Sequence, residues 1–128
     1  MQNGYIISRM IKFSKNIIRK FTDAGNGIIE ATKIDISIRL VLLIGVVVVI
    51  LGYLLWPLEE FEVMSLVLAY GLMFLTEMLN TSIEVALARL HPARHHMIGT
   101  SKDIAAGASF ISLTILIAIV VIIIFNHI

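Results

Sequence analysis

The sequence predicts an all-α membrane protein, with an N-terminal amphipathic surface helix and three transmembrane helices in one membrane domain, residues 1–128. Three observations predict it. Of 128 residues, 59% are apolar and 15% charged, with a mean hydropathy of +0.96, too apolar for one soluble domain and too short for two. Three apolar stretches approach or exceed the roughly 20 residues that a helix needs to cross a hydrocarbon layer about 30 Å thick. All 10 Lys and Arg fall on one side of those stretches, the side expected to face the cytoplasm.

The first 35 residues read as a cytoplasmic surface segment. Between residues 5 and 21, Ile6, Ile7, Met10, Phe13, Ile17 and Phe21 alternate with Arg9, Lys12, Lys15, Arg19 and Lys20 at spacings suited to an amphipathic helix on the inner leaflet. The opening residues lack a signal peptide's pattern, because Arg9, Lys12 and Lys15 interrupt the first apolar residues, so the N-terminus is expected to be retained. Asp23-Ala24-Gly25-Asn26-Gly27 predicts a break, with a second short helix from Ile28 leading into the first span.

The spans are expected at about 36–57, 63–88 and 104–125. An acidic turn around Pro57-Leu58-Glu59-Glu60-Phe61-Glu62 lies outside, and residues 89–103 form a cytoplasmic loop. This places the N-terminus in the cytoplasm and the C-terminus outside, in the inner (cytoplasmic) membrane. Gly107 and the small residues around it would permit close helix contact in the third span. Thr100 or Ser101 is expected to cap that span, with Asp103 in its first turn. A net charge of +1 gives no sign of nucleic-acid binding, and the lack of cysteine excludes a disulfide framework, a thiolate metal site and a cysteine nucleophile.

The second span carries Glu77, Asn80 and Glu84, although an ionised side chain at the bilayer centre costs about 2.5 to 3.5 kcal/mol even on the lenient insertion scale. At about 100° per residue the three occupy an arc of about 60°. At 1.5 Å per residue, Glu84 lies about 7 Å and Glu77 about 18 Å below Arg89, so the stripe descends from the cytoplasmic interface. A lone Asn80 would read as a hydrogen bond between helices. Two carboxylates with an amide are a ligand set for a hard cation such as Mg²⁺.

The inner loop adds a second polar group. Backbone N–H groups at the start of the third helix favour anions such as phosphate, and Lys102 adds a cation, although an ordinary cap beside a surface lysine would have the same sequence. His95-His96 has no third ligand spaced for zinc. Glu30, Asp35 and Arg39 precede the first span, where local pairing is the simple reading. Neither a Walker phosphate loop nor a G-x-S-x-G nucleophile motif is present.

Glu77-Met78-Leu79-Asn80-Thr81-Ser82-Ile83-Glu84, followed by Lys102-Asp103-Ile104-Ala105-Ala106-Gly107-Ala108, resembles the prokaryotic diacylglycerol kinase family, which includes undecaprenol kinases. The resemblance extends over nearly the whole chain. It implies a homotrimer with active sites between subunits, transferring the γ-phosphate of ATP, with Mg²⁺, to a membrane lipid alcohol. By motif position it implies that Glu77 is the general base, that Asn80, Glu84, Arg94, His95, Lys102 and Asp103 bind ATP, and that Asp35 and Glu84 hold the metal. Glu77 and Arg39 would meet the lipid. Asp35 stands where the family usually has a longer glutamate, leaving Glu30 as the other N-terminal candidate, and Asn16 beside Lys15 stands where an arginine is common.

Diacylglycerol, giving phosphatidic acid, is the leading substrate, and undecaprenol is the alternative. A further alternative is a non-enzymatic helical assembly or pore lined by the stripe. The pairing of the eight-residue block with Lys102-Asp103 disfavours it, since a pore requires neither.

Overall fold

The structure is a computed structural model that describes residues 2–90 and 96–128, with side chains from residue 6 onward. The described residues form four helices, α1 Gln2–Ile34, α2 Ile36–Leu54, α3 Glu60–Leu90 and α4 His96–His127, and no strand. This is the expected all-α architecture. The last three helices are long and apolar enough to cross a membrane. Residues 1–34 form one compact unit and residues 35–128 another.

In the first unit, α1 runs without interruption, so the break expected at residues 23–27 is absent, and Ile28 continues the same helix. Glycine lowers helix propensity by about 1 kcal/mol relative to alanine but does not forbid the helix, and no proline lies in this segment. Ile6, Met10, Phe13 and Ile17 recur every three or four residues on one face, with Lys12, Lys15 and Arg19 opposite. Glu30 is engaged locally: its carboxylate accepts from Lys33 Nζ at 2.7 Å on the exposed surface.

In the second unit, Asp35 adopts the extended conformation of an N-cap (φ −124, ψ 125) and its carboxylate accepts from the Ser37 N–H. The other end of α2 closes with the Leu55 N–H donating to the Leu51 carbonyl at 2.9 Å. At the start of α3, Glu62 Oε2 accepts from the Glu59 N–H at 3.0 Å, half of a capping box, and Glu60 and Glu62 place negative charge on the first turn.

The third spanning helix begins at His96, well before residue 104, so most of the expected loop 89–103 is helical. Thr100 and Ser101 are not caps. Their hydroxyls donate to the carbonyls of His96 (3.2 Å) and Met97 (3.0 Å) inside the helix, and Asp103 lies beyond the first turn. Pro92 is the last proline in the chain, so nothing after it prohibits a helix, and Gly99 is tolerated within one.

Helix α3 packs on both α2 and α4. Val41, Ala69, Met73 and Leu116 are the buried centre, with Ile44, Tyr70 and Leu113 against them. The α3–α4 register is antiparallel: Thr76 Oγ1 meets Ser112 Oγ at 2.7 Å, and at the far end His127 Nε2 lies 3.7 Å from Glu62 Oε2 and 3.2 Å from the Pro57 carbonyl. Toward α2, Tyr70 donates to the Val41 carbonyl at 3.3 Å. Gly45 allows that approach, because a Cβ there would overlap the Tyr70 hydroxyl and ring. Gly107, by contrast, has nothing within 4 Å of an added Cβ, so in this chain Ala105 rather than Gly107 is the buried small residue. Apolar side chains such as Val49 and Phe110 face outward, as lipid-facing positions do.

Candidate functional site

Asp35 is where α2 and α3 are tied together at the end of the bundle that carries the polar stripe. Its Oδ1 accepts from Ser37 N at 2.8 Å, and its Oδ2 accepts from Thr81 Oγ1 at 2.6 Å. The latter length is that of a hydroxyl bonded to an ionised carboxylate. Partial burial opposes the charge, but the hydrogen bonds from Thr81 and Ser37 and the positive charge of Arg39 outweigh it and hold the carboxyl below its ordinary range. Asp35 is therefore an anion aimed by donors on Thr81 and Ser37.

The α3 contacts show how the stripe is presented. Ala69, Met73, Thr76 and Asn80 recur along the face that meets α4, whereas Tyr70 and Thr81 reach α2. At about 100° per residue, Glu77 and Glu84 fall between those two faces, in the wedge where α2 and α4 flank α3. Both are half-buried, while Asn80 is buried at 9% exposure. The Asn80 Oδ1 is enclosed and has no hydrogen-bond partner, an unusual condition for a buried polar atom. One turn along the antiparallel register from the Thr76–Ser112 contact, Asn80 comes opposite the α4 turn that holds Ser109, whose hydroxyl oxygen is also enclosed and unpartnered.

Glu77 and Glu84 form no hydrogen bond or ion pair with other described residues. Lys102 is half-buried and Asp103 exposed, both in the second turn of α4 rather than in a loop. Arg39 stands exposed in the first turn of α2. Arg94 and His95 lie outside the described residues. Among the described residues, no three His, Asp or Glu side chains gather as a metal would require. The donor types nevertheless suit a hard cation, for which Asp35, the enclosed amide oxygen of Asn80 and the carboxylate of Glu84 would offer oxygen ligands.

Sequence reasoning placed Glu77, Asn80 and Glu84 on one stripe and gave Thr81 no role beyond its place in the motif. It missed the bond from Thr81 to Asp35 and the Thr76–Ser109–Ser112 group. The available signal was slight: hydroxyl residues interrupting apolar runs at positions 76, 81, 109 and 112.

Comparison with known proteins identifies the family. The profile of the prokaryotic diacylglycerol kinase family matches residues 22–125. Undecaprenol kinase of Bacillus subtilis (strain 168) is 33% identical over 90 residues, covering 70% of this chain and 72% of that protein. No solved structure matches the chain. Three spanning helices, an acidic stripe between two packing faces and a match over most of the chain make this protein a member of the prokaryotic diacylglycerol kinase family, and a lipid kinase.

Proposed function

We propose that the chain transfers the γ-phosphate of ATP to the hydroxyl of a membrane lipid alcohol, with diacylglycerol as the leading acceptor and phosphatidic acid as its product. The observation that carries this reading is the pair of half-buried carboxylates, Glu77 and Glu84, set in the wedge between the α2 and α4 contacts of α3. A lipid hydroxyl rests near the headgroup layer while its chains stay in the bilayer. Glu77, deeper than Glu84 along α3, meets the hydroxyl without extracting the lipid.

In this reading Glu77 accepts the hydroxyl proton as the lipid oxygen attacks the γ-phosphorus. The bond from that phosphorus to the β–γ bridging oxygen breaks, and ADP leaves. Phosphoryl transfer asks the protein mainly for positioning and charge neutralisation. Lys102 supplies positive charge to the phosphates, and Asp103, Arg94 and His95 join it in holding the nucleotide. Asp35 and Glu84 would hold Mg²⁺, which when bound neutralises phosphate charge, and Asn80 orients phosphate and metal beside them. Arg39, at the start of α2, contacts the lipid headgroup region.

The carboxylates Glu77 and Glu84 find no partner within one chain's described residues. This supports a site completed by a neighbouring copy, as in a homotrimer. The basic residues support an N-terminus in the cytoplasm and a site at the cytoplasmic face of the inner membrane.

Undecaprenol is the second reading, favoured by the identity to the Bacillus undecaprenol kinase. Transfer of labelled phosphate from Mg-ATP to each lipid, presented separately in mixed micelles, tests both. Wild-type protein should label at least one, and Glu77→Gln should reduce the rate by about 10²- to 10⁴-fold, the usual contribution of a general base. Unchanged labelling by that variant would remove Glu77 from the mechanism, and no labelling of any lipid alcohol by wild type would overturn the reaction.

A further inference from the structure

Thr81 is buried, 4% exposed on α3. A threonine in a helix has one hydroxyl proton and ordinarily gives it to the carbonyl one turn back. Thr22, Thr32, Thr100 and Thr114 all do so here. Thr81 instead donates across to another helix, at 2.6 Å, and its acceptor is a carboxylate 46 residues away in sequence. The same carboxylate is held on its other oxygen by the Ser37 N–H at 2.8 Å.

Two donors on two different oxygens stop the carboxylate from rotating about its Cβ–Cγ bond. Each oxygen still has a lone pair uncommitted by these two bonds. An aspartate is one methylene shorter than a glutamate and cannot search for a cation by bending. Its usefulness as a ligand depends on how its backbone and its hydrogen bonds aim it. The backbone is fixed because Asp35 is the N-cap of α2, and the remaining rotation is fixed by Thr81 together with Ser37.

We propose that Thr81 is a positioning residue of the phosphoryl-transfer site, holding the Asp35 carboxylate in the orientation in which it meets the nucleotide's divalent cation. The inference rests on the reading of Asp35 as a metal ligand. It goes beyond that reading by assigning the metal's affinity in part to a neutral hydroxyl on α3.

The test compares Thr81→Val, which keeps the shape and removes the donor, with Thr81→Ser, which keeps the donor. Mn²⁺ binding to the purified protein is followed by electron paramagnetic resonance with a non-hydrolysable ATP analogue present, alongside the Mn²⁺ dependence of lipid phosphorylation. Loss of a group that orients a metal ligand costs 10- to 100-fold in metal affinity. Thr81→Val should therefore raise the half-saturating Mn²⁺ concentration about tenfold in both assays, with kcat at saturating Mn²⁺ much less affected, and Thr81→Ser should restore binding.

Unchanged Mn²⁺ affinity in Thr81→Val, whatever its effect on unfolding, would overturn the inference and leave the bond as a tie between α2 and α3. Asp35→Ala separates the two levels. If it weakens Mn²⁺ binding while Thr81→Val does not, Thr81 alone is misassigned. If it leaves Mn²⁺ binding intact, the reading of Asp35 falls and the inference with it. Should Thr81→Val not assemble, Thr81→Ala removes the same donor without pressing a methyl on the carboxylate, and the same two outcomes decide.

Discussion

At the residue scale, the charge of Asp35 has a consequence for pH dependence. Its folded carboxyl titrates below the ordinary aspartate range because the Thr81 and Ser37 bonds and Arg39 outweigh partial burial. A carboxylate with a depressed folded value contributes stability that is complete above its unfolded value and is lost as pH falls through the folded one. The stability difference between wild type and Asp35→Asn should therefore stay constant from about pH 8 to about pH 5 and shrink below about pH 4. Unfolding in detergent followed across that range checks it, and a difference that peaked near neutrality would place the controlling group elsewhere. Polar residues of this kind were only half legible in the sequence. Glu77, Asn80 and Glu84 announce themselves by standing in an apolar run, whereas Asp35 stands among several charges before a span and is singled out only by the family resemblance. Its two roles, as cap and as cross-helix acceptor, depend on Thr81 arriving from α3.

At the scale of elements, the contact of α2 with α3 turns on one small residue. Gly45 lies where a Cβ would overlap the Tyr70 hydroxyl and ring, and that hydroxyl is anchored on the Val41 carbonyl at 3.3 Å. Gly45→Ala should lower the unfolding midpoint, an overpacking cost of about 1 to 3 kcal/mol partly offset by the roughly 1 kcal/mol that alanine gains over glycine in a helix. Tyr70→Leu should lessen the effect of Gly45→Ala, so that the double variant is more stable than the two single losses would add to. Additive losses would show that the overlap is relieved some other way. Helix boundaries were the least legible feature. Glycines at 25 and 27 and hydroxyl residues at 100 and 101 carry turn and cap signals, yet both segments are helical. Those signals are small compared with the hydrogen bonding of a continuous helix, and no proline enforces them. The strong stops are Asp35, which caps α2, and the segment around Pro57.

At the scale of the whole molecule, the lysines and arginines predict orientation. The chain has no cysteine, so single cysteines report sidedness without a background. In intact cells, Asn126→Cys and Glu59→Cys should react with a membrane-impermeant maleimide, and Lys15→Cys should react only after the membrane is opened. Labelling of Lys15→Cys in intact cells would reverse the topology and move the proposed kinase site to the other face. The sequence alone determined that this is a helical membrane protein with acids in its second span and a lipid kinase's motif, because hydropathy, charge and motif spacing are properties of neighbours along the chain. Only the tertiary structure decided which face of α3 meets α2 and which meets α4, that Glu77 and Glu84 lie between them, and that Thr81 holds Asp35. Those facts depend on hydrogen bonds and packing between residues tens of positions apart, which exist only once the helices are set side by side.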